Sequence, residues 1–216
     1  MIFHGYFRSS AAWRCRIAFN LKGIEPQTRF VHLRREGGEQ KRPAYRALNP
    51  QGLVPALELD DGTVLTQSLA IIEWLDETHP EPPLLPADPA RRALVRAFAE
   101  AVACDIHPLQ NLRVLSYLRE EIGLPQESVD AWCRRWLGDG LAACEALARR
   151  HGGDTRFTFG DAPSLADICL VPQMGSADRF GVDTSAMPRL REITAACAEL
   201  PAFADAVPAR QPDAEA

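Results

Sequence analysis

At 216 residues and 23.8 kDa, with 46% hydrophobic and 25% charged residues, the chain has the size and composition of a globular protein of one large or two small domains. No apolar run is long enough to span a bilayer. A net charge of -5 and a pI near 5.6 supply no general basic field, which argues against nucleic acid and anionic membranes as partners.

In chain order, Met1 to Gly5 runs directly into a strand-like segment, Ile2 to Tyr6, with no basic n-region or long apolar stretch ahead of it, so a cytoplasmic protein is expected. Trp13, Ile17 and Leu21 fall on one helical stripe while Cys15, Ala18 and Phe19 load another, which predicts a helix covered on more than one side and stopped at Gly23. Arg29 to Leu33 reads as a second strand, parallel to the first by a right-handed crossover. Glu39 to Leu48 is a weaker helix. Ala56 to Leu59, Asp60-Asp61-Gly62 and Thr63 to Leu65 form a hairpin signal, because Asp-Gly supplies the positive φ such turns need. A further helix runs from about Gln67 to His79.

The order βαβ then ββα is the thioredoxin-like arrangement, in which the isolated Val54-Pro55 before the third strand is expected to be cis. Pro80, Pro82, Pro83 and Pro86 punctuate a stretch that fits neither helix nor strand. Beyond it strand signals vanish. Helical spacing runs from Arg91 to Leu118 with a kink at Pro108. Trp132, Trp136, Leu137, Leu141, Cys144 and Leu147 mark the buried face of a helix ending at Gly152-Gly153. Ser164 and Asp167 form a capping-box variant at the next helix start, and the polar tail after Pro208 is expected to fray. The fold class is therefore α/β plus all-α: a thioredoxin-like domain over 1–81, a linker over 82–88 and a helical-bundle domain over 89–216.

The chemistry concentrates between Phe7 and Ala18, where the first strand hands over to the first helix. Free N–H groups and the positive end of the helix dipole make that junction suited to an anion, including a thiolate. The hydroxyls of Ser9 and Ser10 fit two roles equally: capping the helix, or hydrogen-bonding a thiolate and lowering its pKa. Ser9 to Ala12 contains no cysteine, so a disulfide exchange through the chain's own thiol is disfavoured and the reactive sulfur must come from a ligand. The six cysteines, Cys15, Cys104, Cys133, Cys144, Cys169 and Cys197, show no zinc-like spacing and read as reduced, mostly buried thiols. Gln67-Ser68 at another helix start offers an amide, a hydroxyl and N–H groups to a carboxylate, or an ordinary cap.

Phe7 to Gly23, with its Ser-Ser-x-x-Trp-Arg-x-Arg-Ile-Ala run, closely resembles the zeta class of glutathione transferases. So do Ala47 to Pro50 leading to Val54-Pro55, Gln67 to Glu73, Pro108 to Asn111, Leu165 to Asp167 followed by Leu170 to Gln173, and Arg179-Phe180. The likeness runs nearly end to end. It implies a glutathione-transferase-like fold, glutathione as a regenerated reagent, and cis-trans isomerisation by thiolate addition, bond rotation and elimination. Ser9 and Ser10 would be catalytic, with Ala11 beside them. Val54 and Pro55 would meet the cysteinyl backbone of glutathione, Gln67 and Ser68 its γ-glutamyl carboxylate, and Gln40, His107 and Asn111 the rest of the tripeptide. Arg8 and Arg179 would bind the carboxylates of a small dicarboxylic substrate, as guanidinium groups do.

Ala11 stands where many zeta sequences have cysteine, which leaves serine and the helix terminus to hold a thiolate, and His107 stands where the family often has glutamine. With these departures the resemblance implies a maleylacetoacetate isomerase first. The alternatives are a maleylpyruvate isomerase, a glutathione transferase or dehalogenase for small electrophilic acids, and a non-catalytic scaffold. A homodimer, without metal, is the family's usual form.

Overall fold

The computed structural model describes residues 1–215. Two compact units divide the chain: Met1–Leu84 together with the segment from Glu199 onward, and Leu85–Ala198. The final segment thus groups with the first unit although it follows the second in sequence.

The first unit opens with β1 (Ile2–Gly5), α1 (Ser10–Lys22), β2 (Gln27–Phe30) and α2 (Pro43–Leu48). The hairpin strands β3 (Ala56–Glu58) and β4 (Val64–Thr66) and then α3 (Ser68–Thr78) follow. The sheet order is β2-β1-β3-β4, with β1 parallel to β2 and antiparallel to β3, and β3 antiparallel to β4. This is the thioredoxin-like arrangement. Its core holds Phe3, Ile17, Leu57, Ile71, Ile72 and Leu75, all essentially sealed from solvent. Each such side chain contributes about 1.5–3 kcal/mol by burial. Phe3 meets Phe19 edge-on at 5.2 Å, locking α1 to the sheet.

α1 ends as expected at Gly23, whose φ of 65° and N–H to the Asn20 carbonyl form a left-handed cap. Two boundaries differ from the sequence reading. β2 lies two residues earlier than the Arg29 start, as a solvent-exposed edge strand, because its register is set by pairing Ile2 with Gln27 and not by its own alternation. The weak helix of residues 39–48 is broken at Arg42, which is extended because the following Pro43 disfavours the helical region. The Val54-Pro55 bond is cis, as is Glu81-Pro82.

The second unit contains α4 (Pro89–Glu100), α5 (Leu112–Ser116), α6 (Gln126–His151), α7 (Leu165–Arg179) and α8 (Pro188–Ala198). Where one kinked helix was expected, a wide π-type turn over Ala101–Ile106 and a tight 3-10 turn over His107–Gln110 lie between α4 and α5. Pro108 lacks the N–H that would continue the ladder, and Asn111 restarts the helix. The buried stripe of α6 is Val129, Cys133, Leu137, Leu141, Cys144 and Ala148. That corrects the expected phase: Trp136 is 38% exposed, and Trp132 is half-buried, its indole N–H donating to the Leu109 carbonyl at 2.7 Å.

The start of α7 is closed by Asp167. Its Oδ1 accepts from the Thr158 N–H at 2.8 Å and hydroxyl at 2.7 Å, and its Oδ2 from the Ser164 N–H at 2.8 Å and hydroxyl at 2.9 Å. Ser164 completes the capping box. Glu145, buried on α6, likewise caps α8 by accepting from the Leu190 N–H at 2.9 Å.

The chain then returns to the first unit through α9 (Pro201–Ala204). The tail is not the frayed segment its polarity suggests. Asp213 Oδ2 accepts the Phe7 N–H at 2.9 Å, and Glu215 meets the His32 ring at 3.0 Å and the Arg35 guanidinium at 2.7 Å. His32 Nδ1 accepts from the Arg35 N–H at 2.8 Å, so it is Nε2 that carries the hydrogen given to Glu215. Among the described residues no helix is long and apolar enough to cross a membrane, and no group of His, Cys, Asp or Glu side chains is arranged to hold a metal ion.

Candidate functional site

In the first unit the β1–α1 junction is held from several sides. The Ser9 N–H returns to the Tyr6 carbonyl at 3.0 Å, closing a tight turn. Arg16, half-buried behind that turn, donates to the carbonyls of Phe7 at 3.0 Å, Tyr6 at 3.4 Å and Ala206 at 3.0 Å. Burial lowers its pKa to about 10, with Asp213 opposing the shift, so it remains a cation at neutral pH.

Ser9 is the N-cap of α1, and its Oγ accepts from the Ala12 N–H at 3.2 Å. The capping role is therefore real. It consumes only a lone pair of the oxygen and leaves the hydroxyl proton to be donated elsewhere. Ser9 and Ser10 are half-buried, Ala11 is buried and Arg8 is exposed.

α3 begins differently. Its N-cap, Gln67, provides no side-chain cap, sits at φ 68° and is exposed, its amide donating to Gln51 Oε1 at 2.8 Å. A non-glycine residue at such φ costs on the order of 1–3 kcal/mol. Ser68, the first helical residue, is buried, and its Oγ accepts from Arg14 Nε at 3.0 Å. Arg14 belongs to α1, so this bond ties the two helix starts together.

Val54 and Pro55 lie just before the first paired residue of β3, so the main-chain groups of Val54 remain outside the ladder. The loop is pinned at Leu53, whose carbonyl accepts from the Tyr45 hydroxyl and from Asn49 Nδ2, each at 2.7 Å. Burial pushes the Tyr45 phenol well above its ordinary value, which keeps that donor protonated. Gln40 is buried, with Nε2 donating to the Leu33 carbonyl at 3.2 Å and Oε1 without a partner among the described residues.

The other sequence candidates belong to the second unit. His107 opens the 3-10 turn and is half-buried. Asn111 is the N-cap of α5, accepting from the Arg113 N–H at 3.2 Å. Arg179 is the exposed last residue of α7, its guanidinium 5.1 Å from the centre of the Phe180 ring. Sequence reasoning missed Arg14, Arg16, Tyr45 and Asp213. The two arginines were visible in the motif after Ser9, but nothing local signalled their burial.

The chain's own thiols are poor nucleophiles where their state is defined. Burial raises Cys133 to about 11 and Cys144 to about 12, so both are thiols at neutral pH.

A thioredoxin-like sheet with a serine at the α1 start, a cis proline before β3 and an anion-ready α3 start is the arrangement of glutathione-handling domains. The family profile described as glutathione S-transferase, N-terminal domain, matches residues 8–78. A maleylacetoacetate isomerase from Pseudomonas aeruginosa is 51% identical over 216 residues, covering all of both chains. A solved maleylpyruvate isomerase, described as a bacterial zeta-class glutathione S-transferase, superposes with a TM-score of 0.95 at 49% identity over all of both chains. A maleylacetoacetate isomerase from Methylobacterium extorquens, solved with malonate and glutathione bound, gives 0.95 at 44% identity, again over all of both chains. The chain belongs to the zeta-class glutathione transferase family.

Proposed function

We propose that the protein is a glutathione-dependent cis-trans isomerase that converts maleylacetoacetate to fumarylacetoacetate, acting in the cytoplasm as a homodimer. The observation that carries this reading is the α1 start. It offers a Ser9 hydroxyl whose proton the cap does not consume, the positive end of the α1 dipole, and alanine at both positions after Ser10.

The residues fit a tripeptide thiol. Unpaired main chain at Val54 suits a peptide backbone, and the uncapped α3 start with Ser68 suits a carboxylate. When bound, glutathione supplies the sulfur nucleophile whose reversible addition to the conjugated alkene permits rotation about the former double bond. Ser9 donates to the thiolate and favours its charged form, with Ser10 and the Ala11 main chain beside it. Gln67 and Ser68 bind the γ-glutamyl carboxylate; Gln40, His107 and Asn111 complete the tripeptide site. Arg8 and Arg179 hold the carboxylates of the substrate and orient its double bond.

Maleylpyruvate is the second substrate to weigh, because a relative named for it is 49% identical and shares the fold at a TM-score of 0.95. The deciding experiment follows the absorbance of each cis substrate with purified protein, with and without glutathione. The expected result is loss of the cis spectrum only with glutathione, faster for maleylacetoacetate. If glutathione changes neither spectrum, the isomerase reading fails. A stable glutathione conjugate in place of regenerated glutathione would instead identify a transferase.

A further inference from the structure

Arg14 is 2% exposed, yet among the described residues it forms no ion pair with a carboxylate. Its one hydrogen bond is from Nε to the Ser68 hydroxyl oxygen at 3.0 Å, and its Nη1 is buried without a partner. A guanidinium stays charged at any pH the protein meets, and burying one without a counter-ion carries a penalty of several kcal/mol. Lys22, a cation of the same helix whose side chain is fully covered, is treated differently: it has Asp76 at 2.7 Å. Ser68 is moreover the first residue of the eleven-residue α3, whose N-cap contributes no side chain. The free N–H groups and dipole of α3 add positive potential at the same serine. Two independent sources of positive charge converge there, and among the described residues no carboxylate is paired with Arg14 or caps α3.

We propose that Arg14 is a positioning residue for glutathione: it orients the Ser68 hydroxyl toward the γ-glutamyl α-carboxylate, for which its own buried charge is the counter-ion. The hydrogen-bond polarity gives the reason. Guanidinium nitrogens only donate, so Arg14 engages a lone pair of Ser68 Oγ and leaves the single hydroxyl proton to be given to the ligand. A neutral side chain at position 14 removes both the orientation and the charge. Lysine restores the charge without the planar fork. The inference rests on the glutathione-dependent reading and adds to it a residue that touches the ligand's partner and not the reacting sulfur.

The test is calorimetric titration of the protein with reduced glutathione and with the analogue whose γ-glutamyl α-carboxylate is converted to the amide. The wild type is expected to bind the amide about 10- to 100-fold more weakly, the range for a lost charge-assisted hydrogen bond. Arg14→Met, its fold verified by circular dichroism, is expected to weaken glutathione by a similar factor and leave the amide's Kd nearly unchanged. Arg14→Lys should recover part of the discrimination. Equal weakening of both ligands by Arg14→Met would show a merely structural role and overturn the proposal. So would equal affinity of the wild type for acid and amide, a comparison that needs no folded variant. In that last case glutathione still binds and the proposed activity survives; if the wild type binds neither ligand, both readings fall.

Discussion

The starts of α7 and α3 face the same physical problem and resolve it in opposite ways. At α7 the start is closed: Asp167, itself fully buried, accepts four hydrogen bonds from Thr158 and Ser164. At α3 the cap residue is held at a costly φ, its side chain does not close the end, and a buried guanidinium stands behind the first residue with no carboxylate paired to it among the described residues. The start of α1 lies between these, since Ser9 caps it with a lone pair and keeps a proton in reserve. A helix start closed by its own side chains stabilises the fold, and one left open invites an anion.

Substitutions at the three starts should therefore separate stability from ligand handling, and the largest effect is expected at the closed one. Asp167→Ala leaves the buried N–H and hydroxyl of Thr158 and the half-buried pair of Ser164 without their acceptor, and should lower the unfolding free energy by on the order of 3–5 kcal/mol. Chemical denaturation would read this loss, while turnover per folded molecule should be retained; a shift below about 1 kcal/mol would break the contrast. Ser9→Ala should touch both properties. It removes a cap worth about 1 kcal/mol, and it should displace the pH–rate profile to alkaline pH by about 1–2 units through loss of a donor to the thiolate. An unmoved profile would remove Ser9 as the thiolate's partner.

Gln67→Gly should act in the reverse sense at the open start. Relief of the positive φ, less the entropy glycine adds to the unfolded chain, should leave stability unchanged or raised by up to about 1 kcal/mol. Glutathione affinity should fall severalfold in the same protein, and thermal denaturation paired with calorimetry would read both. The smallest effect is expected at the tail. The bond to Arg35, opposed by burial and aided by His32, holds Glu215 below its ordinary pKa of 4.5. Its contribution is present above that value and is lost as pH falls through the lowered one. The amide NMR signal of Phe7, bound to nearby Asp213, should therefore be constant near neutrality and shift only on acidification below about 4.5.

Much of this was legible in the sequence wherever a local signal and its structural consequence coincide. Gly23 ends α1, Asp60-Asp61-Gly62 makes the β3–β4 hairpin, and Ser164 with Asp167 opens α7 because each acts within a few residues. The α6 stripe was misphased because tryptophan weighs heavily in any apolar count, whereas the helix buries the residues spaced from Val129 and leaves Trp136 at the surface. Arg14 and Arg16 were illegible for another reason. An arginine in an amphipathic run reads as surface, and what buries them are partners 54 and 190 positions away, Ser68 and the Ala206 carbonyl. The docked tail escaped notice likewise, its acids matched to Phe7, His32 and Arg35 at the far end of the chain.

That long return has a consequence for synthesis. The ribosome releases β1, α1 and the turn before Ser9 early, but Ala206, Asp213 and Glu215 only after the whole second unit has emerged. Until they do, Arg16 and the Phe7 amide wait with part of their hydrogen bonding unmet. The half of the molecule that is translated first is the half that is finished last.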